Sequence, residues 1–141
     1  MKVFFDTSVL LPVFVKDHEH HAASKQAFLR ADKQSGTFGA HSLAELYATA
    51  TRLPRRERLR GEQVMLFLDD VVERLTTVAL TSGEYYSAVK AAAANGVVGG
   101  AIYDALLASC ALKAKADVIY TWNLKHFQQL GPEIASRIQT P

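Results

Sequence analysis

The sequence predicts a three-layer α/β/α domain built on a central parallel sheet, and three observations carry that prediction. Short β-branched or aromatic runs alternate with longer stretches of helical periodicity. The runs are apolar on both sides of the pleat, as strands covered on both faces must be. A length of 141 residues, with 49% hydrophobic and 21% charged side chains, supplies one domain with enough material for a core.

Lys2–Phe5 reads as the first buried strand, stopping at the polar Asp6-Thr7-Ser8. Residues 18–33 follow as a helix with Ala22, Ala23, Ala27 and Phe28 turned inward. Thr37–Ala40 is the second strand, after the turn signal Ser35-Gly36. Ser42-Leu-Ala-Glu45 has the form of a capping box and opens a helix to about Leu53, where Pro54 stops it. Val64, Phe67, Leu68, Val71 and Leu75 recur at helical spacing over residues 61–74.

Thr76–Leu80 is a third strand. Thr81-Ser-Gly-Glu84 is a second capping box, and its helix ends at Asn95-Gly96. A helix over roughly 101–115, a last strand at Asp117–Thr121 and a short helix near 132–138 complete one domain spanning residues 1–141.

Several function classes are excluded or disfavoured early. One cysteine, Cys110, forbids an internal disulfide, and its place on an apolar helix marks it as an inert core thiol. No apolar run reaches membrane-span length, and residues 1–15 lack the pattern of a secretory leader, so a cytoplasmic protein without a membrane partner is expected. A net charge of +2 is too small to make the whole chain a nucleic-acid binder.

The distribution of charge says more. Asp6 is the only charged residue between Lys2 and Lys16, Glu45 between Lys33 and Arg52, and Asp104 between Lys90 and Lys113. At the chain average those windows should carry about 11 charges; they carry three, all negative. Such acids are buried, and no basic residue lies near them in sequence to pair with. Asp104 is flanked by small alanines that leave room for an approaching group.

Sites in open parallel sheets form at the carboxyl ends of strands. Asp6 ends the first strand, Glu45 lies just after the second, Asn123 just after the last, and Asp104 can reach the same edge from the start of its helix. Two carboxylates about 4 Å apart repel by about 4 kcal/mol at an effective dielectric near 20. A divalent cation removes that conflict, and an all-oxygen set suits Mg²⁺, with Mn²⁺ as a substitute. Simpler roles stay open at this stage: Asp6 as a helix cap, Glu45 as the third residue of a capping box, Asn123 as a turn residue. No capping role is expected for Asp104.

Taken in order, the strand with Asp6-Thr7-Ser8, then Glu45, Tyr103-Asp104-Ala105, and Thr121-Trp122-Asn123 with Phe127 resemble PIN domains, and among them the VapC-type toxins of bacterial toxin–antitoxin pairs. The resemblance covers nearly the whole chain. It implies a Mg²⁺-dependent endoribonuclease acting on single-stranded regions of RNA, a cognate antitoxin, and a homodimer. It also implies metal ligation by Asp6 and Asp104, an acidic cluster completed by Glu45, Asn123 where many members carry Asp, and support from the hydroxyls of Ser8 and Thr121. Two departures accompany it: Asn123 is neutral, and His126 stands where an acid is frequent. One Mg²⁺ is therefore expected. A catalytically weak or inactive PIN-like module that binds RNA or a partner is the alternative, and a receiver-like module is disfavoured because no acid pair ends the first strand.

Other features carry weaker expectations. Arg52-Leu-Pro-Arg-Arg-Glu-Arg-Leu-Arg60 holds net +4, leaving the rest at −2, and offers Arg52, Arg55 and Arg56 for phosphate contacts. It reads equally as a solvated loop or an acidic-partner site. His18, His20 and His21 read as an exposed helix start, Trp122 as a base-stacking or strand-shielding residue, and the helix from Tyr85 through Ala94 as packed within the core, with a dimer seam as the lesser reading.

Overall fold

The computed structural model describes residues 1–141. Five parallel strands form one sheet in the order β3-β2-β1-β4-β5. The strands are β1 (Val3–Phe5), β2 (Gly36–Gly39), β3 (Thr76–Val78), β4 (Val118–Tyr120) and β5 (Ile138–Gln139). Eight helices cover it: α1 (Thr7–Phe14), α2 (His21–Arg30), α3 (His41–Ala50), α4 (Gly61–Arg74), α5 (Ser82–Ala94), α6 (Ala101–Lys113), α7 (Leu124–Gln128) and α8 (Pro132–Ala135).

Strand β1 divides the interior because successive side chains point to opposite faces. Val3 and Phe5 enter a core with Val9, Leu10, Phe28, Leu46, Val64, Val71 and Leu75, under α1–α4. Phe4 enters a second core with Leu107, Ala111, Ile119, Phe127 and Ile134, under α6–α8. The middle strands sit closely under these helices. A Cβ at Gly39 would meet Leu107 Cδ2 at 2.6 Å, and one at Gly36 would meet Leu75 Cδ2 at 2.5 Å.

The chain runs from β1 outward through β2 to β3, then crosses back to place β4 on the other side of β1. This makes β1/β4 the topological switch point, where connections leave in opposite directions and where open α/β sheets place their ligand sites. Val3 pairs with both Gly36 and Val118, and Phe5 with both Phe38 and Tyr120, so three strand ends reach that edge together.

Several sequence expectations need correction. The helix expected over 18–33 is shorter, because residues 18–20 turn separately and the His20 N–H donates to His18 Nδ1. Ala22 is exposed and Ser24 is buried in its place. The capping box at Ser42 is absent: α3 begins at His41 with Ala40 as its cap residue and no side-chain cap bond. By contrast, the second box forms, with Thr81 and Glu84 bonding reciprocally, and Gly96 ends that region at φ +72. The segment expected as a helix near 132–138 is helical only over Pro132–Ala135, and Ile138–Gln139 becomes the fifth strand; α7 was not expected. Helix α5 is not core: Ala92 is its only buried residue, and Tyr86 is 72% exposed. Cys110 is buried as expected, and burial pushes its thiol up to about 11.

Candidate active site

Asp6 leaves β1 at the switch point and is 2% exposed. Its backbone N–H donates to Tyr120 O at 3.0 Å, continuing the pairing of β1 with β4 for one more residue. The carboxylate is gripped on one oxygen. Ser8 Oγ donates to Oδ2 at 2.7 Å, Thr121 Oγ1 at 2.8 Å, and the Ser8 N–H reaches it more weakly at 3.4 Å. Asp6 is thus also the cap of α1, so the capping and functional readings hold together.

The two hydroxyls lie 3.3 Å from each other, and both turn to Asp6. Ser8 Oγ accepts the Trp122 N–H at 2.9 Å and Thr121 Oγ1 accepts the Asn123 N–H at 3.0 Å, leaving each O–H to donate to Asp6. Two hydroxyl donors on one oxygen suit an ionised carboxylate. Oδ1 takes none of these three bonds, and the Thr7 backbone N–H also favours the charged form of the carboxyl.

Glu45 arrives from the first half of α3. Thr7 Oγ1 donates to its Oε1 at 2.9 Å and lies 2.8 Å from Ser42 Oγ. Since the Thr7 proton goes to the carboxylate, Ser42 must be the donor to Thr7. The residues that suggest a capping box therefore serve a tertiary network instead. Thr7 is a site residue that the sequence reading missed, although the run Asp6-Thr7-Ser8 holds the signal.

Asp104 lies in the first turn of α6, nearer the helix start than expected, yet makes no cap bond. Its side chain is 18% exposed, and His126 Nδ1 stands 3.5 Å from Oδ2. Burial, and next the charge of Asp6, push its carboxyl up to about 6 against the pull of His126, with Glu45 adding a smaller push. Burial likewise raises Glu45, opposed by the Thr7 hydrogen bond and His41, with Asp6 adding to the rise. Burial raises Asp6 despite its hydroxyl donors.

The charge of Asp6 raises both Glu45 and Asp104, and Glu45 raises Asp104 further, with no Lys or Arg among the groups that tune them. No three Asp, Glu, His or Cys side chains stand close enough together to hold a metal ion among them. An open acidic donor set of this kind fits Mg²⁺, which keeps several waters and takes one or two protein carboxylates.

The remaining predicted residues divide. Ser8 and Thr121 stand against Asp6, while Asn123 is exposed at the start of α7 with its side chain uncommitted to a cap. Arg52, Arg55 and Arg56 are exposed beyond the far end of α3, and Arg52 is about 10 Å along the chain direction from Glu45 at helical rise. Arg58 and Arg60 are tied locally, to Leu53 O and Glu62. Trp122 has one ring face covered and its ring N–H committed within the fold. His20 lies parallel to it at 3.7 Å, and its Nε1–H donates to Ser24 Oγ at 2.9 Å. The expected exposed histidine start is accordingly a half-buried brace, with His21 Nδ1 also 2.8 Å from Pro12 O.

Fold and site together define a class: parallel α/β/α domains that gather carboxylates at the switch point of the sheet. Residues 3–131 match the PIN domain. The chain is 35% identical over 114 residues to ribonuclease VapC27 of Mycobacterium tuberculosis, covering 80% of this chain and 79% of that one. It is 34% identical over 114 residues to ribonuclease VapC40 of the same organism, covering 81% of each. The chain belongs to the PIN-domain family, among its VapC ribonucleases.

Solved structures agree in fold. The crystal structure of Mycobacterium tuberculosis VapC20, a sarcin–ricin loop cleaving toxin, superposes with a TM-score of 0.72 at 13% identity, over 89% of this chain and 92% of that one. VapBC2 from Rickettsia felis, bound to a DNA fragment from their promoter, gives 0.65 at 18% identity over 99% and 98%.

Proposed function

We propose that the protein is a Mg²⁺-dependent endoribonuclease that cuts single-stranded regions of RNA and acts as the toxin of a type II toxin–antitoxin pair. Its place among the VapC ribonucleases makes it an endoribonuclease. The observation that carries the finer reading is the set Asp6, Glu45 and Asp104: all three are raised by burial, and the Asp6 charge raises the other two with no Lys or Arg to offset it.

Asp6 and Asp104 would hold the cation, Asp6 through Oδ1, the oxygen that Ser8 and Thr121 leave unbonded. A bound Mg²⁺ supplies Lewis-acid polarisation of the scissile phosphate and lowers the pKa of its water. Ser8 and Thr121 favour the ionised form of Asp6 against the effect of its burial and hold it in place. Glu45, raised by burial and aimed by Thr7, accepts a proton from the attacking water. Asn123 contributes a neutral amide at the rim. Arg52, Arg55 and Arg56 make phosphate contacts that add affinity without reading sequence.

The partners are the RNA substrate, an antitoxin that occupies the acidic crevice, and a second copy of the chain, all in the cytoplasm; no helix is long and apolar enough to cross a membrane. The deciding assay is cleavage of RNA by purified protein. Activity with Mg²⁺ or Mn²⁺ that is lost in EDTA and in Asp6→Asn is expected. Undiminished cleavage in EDTA contradicts the metal role, and RNA binding without any cleavage leaves only a binding module.

A further inference from the structure

We infer that the face formed by His41 and Tyr103, with the groove beside it, is a subsite for an unpaired nucleobase of the RNA strand being cut; it rests on the nuclease reading above. His41 opens α3 and Tyr103 lies in the first turn of α6. Their rings stack across the two helices, with centroids 4.9 Å apart and planes 14° from parallel. Both flank the acids. His41 is one helical turn before Glu45 and lowers its pKa, and Tyr103 immediately precedes Asp104.

The pair is not sunk in the core: Tyr103 is 46% exposed. His41 also lines a cavity of about 310 Å³ with Ala40, Val78, Leu80, Tyr85 and Leu106. Tyr85, 47% exposed, stands on α5, the helix that contributes least to the core.

The location fits a nucleotide next to the cleavage point. Ala40 follows β2 and Leu80 follows β3, so the groove extends along the same carboxyl edge as Asp6. Two strand spacings, about 10 Å, separate the ends of β1 and β3. Single-stranded RNA is recognised by splaying bases onto aromatic side chains. The groove is apolar with aromatic walls and carries no Lys or Arg, so it suits the flat face of a base and not a phosphate. Stacking of this kind tolerates any base, so the subsite selects for unpaired strand rather than for sequence.

The test uses the full chain in EDTA and a short fluorescein-labelled single-stranded RNA of mixed sequence, followed by fluorescence anisotropy. Copies of the RNA each carry one abasic position. Tyr103→Ala and His41→Ala are expected to weaken binding roughly 5- to 100-fold, while Tyr103→Phe keeps wild-type affinity. One abasic position should weaken wild type by a similar factor and weaken Tyr103→Ala no further. With Mg²⁺, KM for Tyr103→Ala rises while kcat stays near wild type.

Wild-type affinity and KM in both alanine variants, or losses that are the same for every abasic copy, overturn the subsite; the stack is then only a tie between α3 and α6. Asp6→Asn keeps the two readings apart. If wild type cleaves, Asp6→Asn does not, and the Tyr103 effect on binding is nil, the nuclease reading stands and the subsite falls. If cleavage ignores Asp6→Asn while one abasic copy still cancels the Tyr103 effect, the subsite stands and the acidic mechanism falls.

Discussion

Asp6 and Asp104 are acids of the same kind on the same edge, held in opposite ways. Asp6 is fixed by the fold: it ends a central strand, and two hydroxyls from separate segments, Ser8 and Thr121, hold one of its oxygens. Asp104 has no hydrogen-bond donor from the chain, only His126 at 3.5 Å, and burial with the nearby Asp6 charge leaves its carboxyl at about 6. One carboxylate is organised before any ligand arrives. The other is held against its own charge by burial and by the neighbouring Asp6. The difference separates what preorganisation contributes from what a cation contributes.

The largest effect expected is on catalysis. Asp6→Asn and Asp104→Asn should each lower the rate of RNA cleavage more than about a hundredfold, beyond the loss usual for an outer hydrogen-bond partner. A gel assay at saturating Mg²⁺ measures it. Equal losses would show that both acids are needed however they are held.

Thr121→Val breaks the comparison from the Asp6 side. It removes a buried donor to a charged group, which costs about 1.5–3 kcal/mol in urea unfolding, and lowers cleavage about 10- to 100-fold by releasing Asp6. His126→Ala, acting on the exposed contact of Asp104, should change cleavage by no more than about fivefold. If the His126 variant proves the more damaging, the contrast is misdrawn.

Stability against pH sharpens the Asp104 side. A carboxyl raised to about 6 in the folded chain contributes most to stability below its unfolded value near 4. That contribution falls as pH rises through 6, and above it the folded state carries the full penalty. Asp104→Asn in EDTA should therefore stabilise the protein at pH 7.5 by about 1–2 kcal/mol, discounted for partial exposure, and change little at pH 4. Urea unfolding at the two pH values measures it, and destabilisation at pH 7.5 would show that Asp104 is paired after all.

The smallest effect concerns the loop. Arg55→Gln and Arg56→Gln should each reduce the dependence of log affinity on log salt by about one unit for single-stranded RNA, with kcat unchanged. No change in slope leaves the loop outside the RNA path.

The same contrast explains what the sequence disclosed. The parallel α/β/α order, the strand ends and the isolated acids were legible because burial on both sheet faces imposes long uncharged runs, and a lone acid stands out against them. Glu45 was legible as an acid but not in its bonding. Ser42 and Glu45 satisfy the local rule for a capping box, and only the fold shows that Thr7 has taken both side chains. Trp122 and His20 are about a hundred positions apart, so nothing local reveals their stack. Strand β5, an Ile-Gln pair, is too short to show any period. The exposure of α5 was hidden because alanine-rich helices look alike whether they pack inside a chain or lie at its surface.

The central claim is that Asp6 and Asp104 share one divalent cation. A crystal soaked in Mn²⁺ and measured at the manganese absorption edge tests it most directly. The account predicts a single anomalous peak about 2.0–2.3 Å from Asp6 Oδ1 and within ligand or one-water reach of the Asp104 carboxylate. A map with no peak between these two carboxylates, at Mn²⁺ concentrations that support cleavage, would contradict it.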